Sequence, residues 1–299
     1  MNHGSMRTAP HSLAAAITGF AREKDKLWTV VFMAGMAFLW VWLVLFLNRP
    51  ALLQLEGAFL NTVISGLLVV LFALCLGWLA GVTLDLLEQS ERKSWYLATT
   101  FIVNLLRSVP QIVGVLAAYV LLTLLIEREI LVDPSWQLIA MSFAISCFVF
   151  LEVADVVRER IAYYRGLDFY HAMLCCGIPE RRIINREILW KNSRAHLLHK
   201  LISIFGAAIF LKCSVDFIVS VGLSTDVSLT NFPATLGSML ASLDSKQDIL
   251  AIGTVFSEPG YVGDLFFEHL QGISIAFMIV FTLLCVHRIA EGVVRRHKL

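Results

Sequence analysis

Two cations inside long apolar runs are the first candidates for chemistry. Lys212 lies in the run 199–221 and Arg107 in the run 97–126. Charge at membrane depth is costly, so such side chains face a cavity or a partner. Asp216 follows Lys212 at i+4, on the same side of a helix, where the two can neutralise each other as a local ion pair. Asn104 stands one turn before Arg107 on a neighbouring face. Arg107 either snorkels to a headgroup layer or lines a route through the membrane. In a route, Arg107 and Lys212 would attract a carboxylate, phosphate or phosphonate group. Pro110 removes a backbone donor from the same run and is expected to bend it, as a gate would require. Glu152 and Asp155 could form a proton relay; the simpler expectation places them at the interface, paired with Arg158 or Arg160.

Other chemistries lack their residues. No G-x-x-x-x-G-K-[ST] loop is present, so the chain does not bind ATP in the P-loop manner. No H-E-x-x-H, C-x-x-C or G-x-S-x-G occurs, and the eight histidines are scattered without metal-ligand spacing. Cys75, Cys147, Cys175, Cys176, Cys213 and Cys285 are expected to be small buried residues rather than disulfide or metal partners. A net charge of +1, with no basic run interleaved with aromatics, gives no footprint for nucleic acid. An enzyme with its own metal or cofactor is not expected.

The elements that carry these residues are membrane spans. Of 299 residues, 58% are hydrophobic and 16% charged, against about 25% charged in soluble domains. A span needs roughly 20 apolar residues. Six runs qualify: 27–47, 59–84, 97–126, 136–156, 199–221 and 273–290. An even number puts both termini on one side. With the termini in the cytoplasm, 19 of the 24 Lys and Arg fall inside and only Arg49, Arg128 and Lys246 outside, as the positive-inside rule requires. The expected fold is an all-α polytopic membrane protein of six transmembrane helices, both termini cytoplasmic, in one domain after a short segment 1–26. A cleaved secretory signal is not expected, because the first apolar run begins near Leu27. Gly77 and Gly81, a small-xxx-small pair, are expected to pack helices. The external segment 222–271 carries Asp226, Asp244, Asp248, Glu258, Asp264 and Glu268, and is expected to form a pair of short helices at the outer mouth.

The inner loop 157–198 contains a polar island, 168–192, that reads as helix, break, helix. Gly177 ends the first helix, and positive φ there meets no Cβ clash. Pro179 suits the first turn of the second. Ile183, Ile184 and Ile188 give that second helix an apolar stripe for the membrane domain, while Arg181, Arg182 and Arg186 lie on other faces, toward headgroups or an acidic partner.

This island resembles the cytoplasmic coupling loop of permease subunits in bacterial ABC importers, Glu-Ala-Ala, three residues, Gly, nine residues, Ile-x-Leu-Pro. Aligned on Gly177, the chain has His171, Ala172 and Met173, then Glu187, Leu189 and Trp190 at the far end. Ala172, Gly177 and Leu189 match; the family's Glu, one Ala, Ile and Pro do not. The run 181–189, RRIINREIL, is similar to the basic-aliphatic run of dipeptide, oligopeptide and nickel permeases. The stretch 106–122, LRSVPQIVGVLAAYVLL, resembles the third span of several importer permeases. The stretch 214–240 resembles the outer segment of peptide permeases, with Phe217, Gly222, Leu223 and the ending Gly237-Ser238-Met239-Leu240.

The resemblance implies a permease subunit in the bacterial inner membrane, surrounded by lipid. It would pair with a second permease chain, or a copy of itself, and with ATPase subunits that bind the ATP and Mg. A periplasmic binding protein would deliver the substrate, a peptide or similar small solute. Residues His171, Ala172, Gly177, Ile178, Pro179, Glu180, Arg181 and Arg182 would form the ATPase-coupling loop. Asn104, Arg107, Pro110, Lys212 and Asp216 would line or gate the pathway. The competing expectation is a stand-alone secondary transporter or channel, whose marks, inverted repeats and paired broken helices, are not apparent.

Overall fold

The apolar runs become long helices. The structure is a computed structural model that describes residues 24–89, 93–222, 232–242, 253–263 and 270–297. The helices are α1 (Lys24–Phe46), α2 (Arg49–Gln89), α3 (Lys93–Ser108), α4 (Gln111–Glu127), α5 (Pro134–Arg165), α6 (Asp168–Cys175) and α7 (Glu180–Arg182). A π-helical stretch, Ile183–Asn192, continues α7, and α8 (Arg194–Gly222), α9 (Leu236–Ser242) and α10 (Leu270–His297) follow. Among the described residues there is no strand. The described residues thus form an all-helical bundle of the polytopic kind. Among the described residues, five helices are long and apolar enough to cross a membrane, or six if α3 and α4 count together.

The run 97–126 bends at Pro110 as expected, but far more sharply than a kinked span. It is two helices, α3 and α4, meeting at 93°. Pro110 lies between them in an extended conformation, φ −57° and ψ 130°. It has no N–H to continue α3, and its ring drives Val109 out of the helical region. Helix α4 alone is about 26 Å long at 1.5 Å per residue, close to the thickness of the hydrocarbon layer. Helix α3 buries none of its residues and turns Trp95, Phe101 and Leu105 outward.

Helices α2 and α5 form the spine. Helix α2 has 41 residues, about 60 Å, so it outruns the apolar layer at its ends. It lies against α5 along the glycine pair. A Cβ on Gly77 would stand 2.5 Å from Val153 Cβ and 2.7 Å from the Phe150 carbonyl, and one on Gly81 would stand 2.7 Å from Val157. The absence of side chains there is what lets the backbones approach. Ser65 and Ser142 hydrogen-bond across the same pair at 2.9 Å. Helix α5 starts on a cap, Asp133 Oδ1 accepting from Ser135 N at 2.9 Å with Pro134 in the first turn.

One continuous core runs from Val115, Tyr119 and Ile145 through Val153, Val157 and Ile161 to Ile183, Ile184 and Ile188. A second cluster joins α1, α2, α8, α9 and α10 around Leu43, Leu55, Ile209 and Ile275. Outside these cores, large apolar side chains such as Phe38, Leu45, Leu71 and Leu79 are exposed all around the spans. Water would penalise such a continuous apolar surface, whereas lipid accommodates it. Of the expected outer segment, α9, a short helical stretch at 253–257 and a 3₁₀ turn at Pro259–Tyr261 are described. Asp226, Asp244, Asp248, Asp264 and Glu268 lie outside the described residues.

Candidate functional site

The elbow between α5 and α8 takes its shape from one glycine. Gly177 has φ +75°. Its N–H donates to the Leu174 carbonyl at 2.9 Å, and Ile178 N donates to Met173 O at 3.2 Å. This pair of bonds is the Schellman arrangement, which satisfies carbonyls that a helix end leaves open. Ile178 and Met173 both pack against the main core. Pro179 stands at the N-cap position of α7, one residue before the first-turn place expected of it, and makes no side-chain cap.

Beyond Pro179 the predicted apolar stripe is present, but on a wider helix. Ile183, Ile184 and Ile188 are fully buried against the spans, and the π-helical repeat brings Leu189 into the same row. Such widened turns concentrate at functional sites. Trp78 Nε1 of α2 donates to Asn185 Oδ1 at 2.7 Å, pinning the stretch to the spine. The opposite face is open. His171, Ala172, Gly177, Pro179, Arg181, Arg182 and Arg186 are exposed, and Trp190 is 71% exposed.

Glu180 does not join that open face with its neighbours. It turns inward to Arg165, the last residue of α5, whose Nη2 donates to Glu180 Oε1 at 2.7 Å. The same guanidinium grips Asp85 of α2 with both Nη atoms, at 3.1 and 2.8 Å. Tyr170 Oη donates to Glu180 Oε1 at 2.7 Å, and its ring lies 5.8 Å from the guanidinium carbon. Burial, and the hydrogen bond to Glu180, push the Tyr170 phenol up from its ordinary value, so it remains a protonated donor. The Gln89 amide also lies against Arg165. Asp85 and Arg165 are 80 positions apart, and sequence spacing alone does not join them. The available signal is that Asp85 continues the i, i+4 row of Gly77 and Gly81.

The membrane-depth residues fall into two separate groups. At the α3–α4 break, Arg107 Nη2 pairs with Asp155 Oδ1 at 2.7 Å, both side chains about half exposed. Gln111 Nε2 donates to Glu152 Oε1 at 3.3 Å, and Lys200 of α8 pairs with Glu152 at 2.8 Å. Asp155 and Glu152 therefore find Arg107 and Lys200, not Arg158 or Arg160. Arg158 pairs instead with Glu88 at 2.8 Å, and Arg160 lies over Tyr163 and Tyr164. Asn104 is exposed one turn from Arg107, and Pro110 sits at the vertex.

Lys212 and Asp216 form the expected i, i+4 pair at 2.8 Å, with side chains 7% and 4% exposed. Thr235, just before α9, donates through Oγ1 to the second Asp216 oxygen, and Leu236 N donates to Thr62 Oγ1 of α2 at 3.0 Å. Phe232 stacks on Tyr119 of α4 with centroids 4.6 Å apart. This web fastens the outer segment to three spans. It lies about 18 Å along α8 from Lys200 at 1.5 Å per residue, so the structure does not bring Arg107 and Lys212 together. The cleft between α8 and α10, about 740 Å³, is lined instead by residues including His199, Phe210, His287 and Glu291. Three cysteines also depart from expectation: Cys75, Cys175 and Cys176 are exposed, Cys213 and Cys285 are buried, and all six are free. Among the described residues no cluster of His, Cys, Asp or Glu has the makings of a metal site.

No protein-family model matches the chain, and no curated protein matches it.

Proposed function

We propose that the chain is the permease subunit of an ATP-driven importer of the ABC type, working in a bacterial inner membrane. The observation that carries the reading is the two-faced elbow. Its inner side is buried and pinned to α2 and α5, while its outer side presents a ridge of exposed residues between His171 and Arg182, from which Met173, Ile178 and Glu180 turn inward. A rigid, partly basic ridge at the end of a membrane bundle is shaped to be gripped by another protein. The partner implied by the resemblance of residues 168–192 is an ATPase subunit, which supplies the ATP and Mg chemistry that this chain has no motif for. Closure of paired ATPases would move the ridge, and the braced spans would move with it, a rigid-body form of alternating access. A second permease chain, or a second copy, would complete the pathway. A periplasmic binding protein would deliver a peptide or similar small solute near α9.

The Gly177→Asp variant tests this. A side chain at φ +75° is strained, and a carboxylate enters the ridge where the partner docks. The expected result is loss of the co-purifying ATPase, or Mg·ATP hydrolysis that no longer moves the spans. Wild-type association together with wild-type ATP-driven motion would refute the coupling role.

A further inference from the structure

We propose that Arg165 is the joint through which movement of the elbow enters the spans, an inference that rests on the coupling reading above. A single guanidinium ties together four pieces of chain: α5, which carries it; α2, through both Asp85 oxygens; α7, through Glu180; and α6, whose Tyr170 both stacks on it and holds Glu180. The site is closed to water on the spine side, with side-chain exposures of 17% for Arg165 and 8% for Asp85, and more open at Glu180, 35%. Apolar contact, as between Ile184 and the spine, resists separation but lets surfaces slide. A planar fork donating to two carboxylates fixes direction as well as distance, and a lysine at the same place cannot reproduce it.

The joint lies on the seam of the spine. Gly77, Gly81 and Asp85 follow one another at i+4 on α2, and Val153, Val157, Ile161 and Arg165 do so on α5. Asp85–Arg165 therefore closes the row that begins with Gly77 against Val153, and displacement of Glu180 pulls on two helices locked side by side. The same α5 carries Glu152 and Asp155 to Gln111 and Arg107 at the bend, so a continuous set of contacts leads from elbow to bend. Arg165 acts through other groups, as a positioning residue. With its fork gone, Asp85 and Glu180 would face each other as like charges without a shared cation.

The experiment uses the complex of the full chain with its co-purifying ATPase, reconstituted in lipid nanodiscs. Exposed cysteines are replaced, and spin labels are placed at Leu53→Cys on α2 and Leu124→Cys on α4, both exposed. The probe is Mg·ATP with vanadate, read as the change in label-to-label distance. Wild type is expected to show a change. Arg165→Lys, and Glu180→Gln as a milder cut on the elbow side alone, are expected to retain the ATPase and its hydrolysis yet lose the change. A full distance change in both variants would overturn the joint and leave the coupling reading standing. Loss of the ATPase from both variants would make Arg165 merely structural, which also overturns it. An absent ATPase, or no response in wild type, would overturn the coupling reading and the joint with it.

Discussion

Two sharp turns among the described residues, at Gly177 and at Pro110, are built in opposite ways. The elbow at Gly177 has a capped helix end, a fully buried row of Ile183, Ile184, Ile188 and Leu189, and a guanidinium whose side chain is only 17% exposed. The bend at Pro110 has a missing donor and an approach helix, α3, with no buried residue. A half-exposed ion pair ties α3 to α5 there. The first turn is held by burial and can transmit force. The second is held by surface polar contacts, which contribute little stability, and can yield. The transport function proposed above calls for both kinds, a stiff input and a compliant hinge.

Unequal responses to substitution would sharpen this contrast. The largest effect is expected at the elbow: Ile184→Asp places an unpaired charge at a fully buried site and should cost more than about 4 kcal/mol, or prevent folding. Thermal unfolding in detergent, followed by tryptophan fluorescence, reads it. Gly177→Ala comes next. A Cβ there meets nothing within 4 Å, so the cost is backbone strain alone, about 1–2 kcal/mol. A loss well above that would mean the ridge is held by contacts not described above.

The end of α4 offers a control of opposite sign. Ile130 N donates to Leu125 O at 3.1 Å and Glu129 N to Ile126 O at 2.9 Å, the same cap as at Gly177. There, Glu129 occupies the left-handed position with φ 57°. Glu129→Gly should stabilise by up to about 1 kcal/mol, measured as a rise in melting temperature. At the bend, Arg107→Gln should change stability by less than about 1 kcal/mol, because the pair it breaks is half exposed. Phe101→Ala on α3 should have the smallest effect, within about 0.5 kcal/mol in detergent, since its ring is exposed. A cost comparable to that at Ile184 would erase the distinction between the two turns.

Local features were legible in the sequence because local rules produce them. Gly177 and Pro179 specify their own backbone, Ile183, Ile184 and Ile188 specify a buried side, and Lys212 with Asp216 needs only four residues to meet. The Gly77–Gly81 pair likewise declared a close helix contact. What escaped depends on three-dimensional juxtaposition. Nothing in the run 97–126 distinguishes a kinked span from a 93° break, because hydropathy counts residues and not faces. Only the amphipathic character of α3 separates the cases, with Trp95, Ile102 and Leu105 on one side and Lys93, Thr100, Asn104 and Arg107 on the other. The partners of Glu152, Asp155 and Arg165 come from other helices, so nearest-neighbour reasoning chose Arg158 and Arg160 wrongly. Exposure of Cys175 and Cys176 follows from the two-faced elbow, which residue type alone does not disclose.

The central claim is that the exposed face of the elbow docks an ATPase. Native mass spectrometry of the chain, released from its own membranes in mild detergent, tests it most directly. The account predicts a complex containing a P-loop ATPase in stoichiometric amount, with a second permease chain or a second copy. The chain alone, or bound only to itself, would contradict the account and leave a transporter that needs no ATPase.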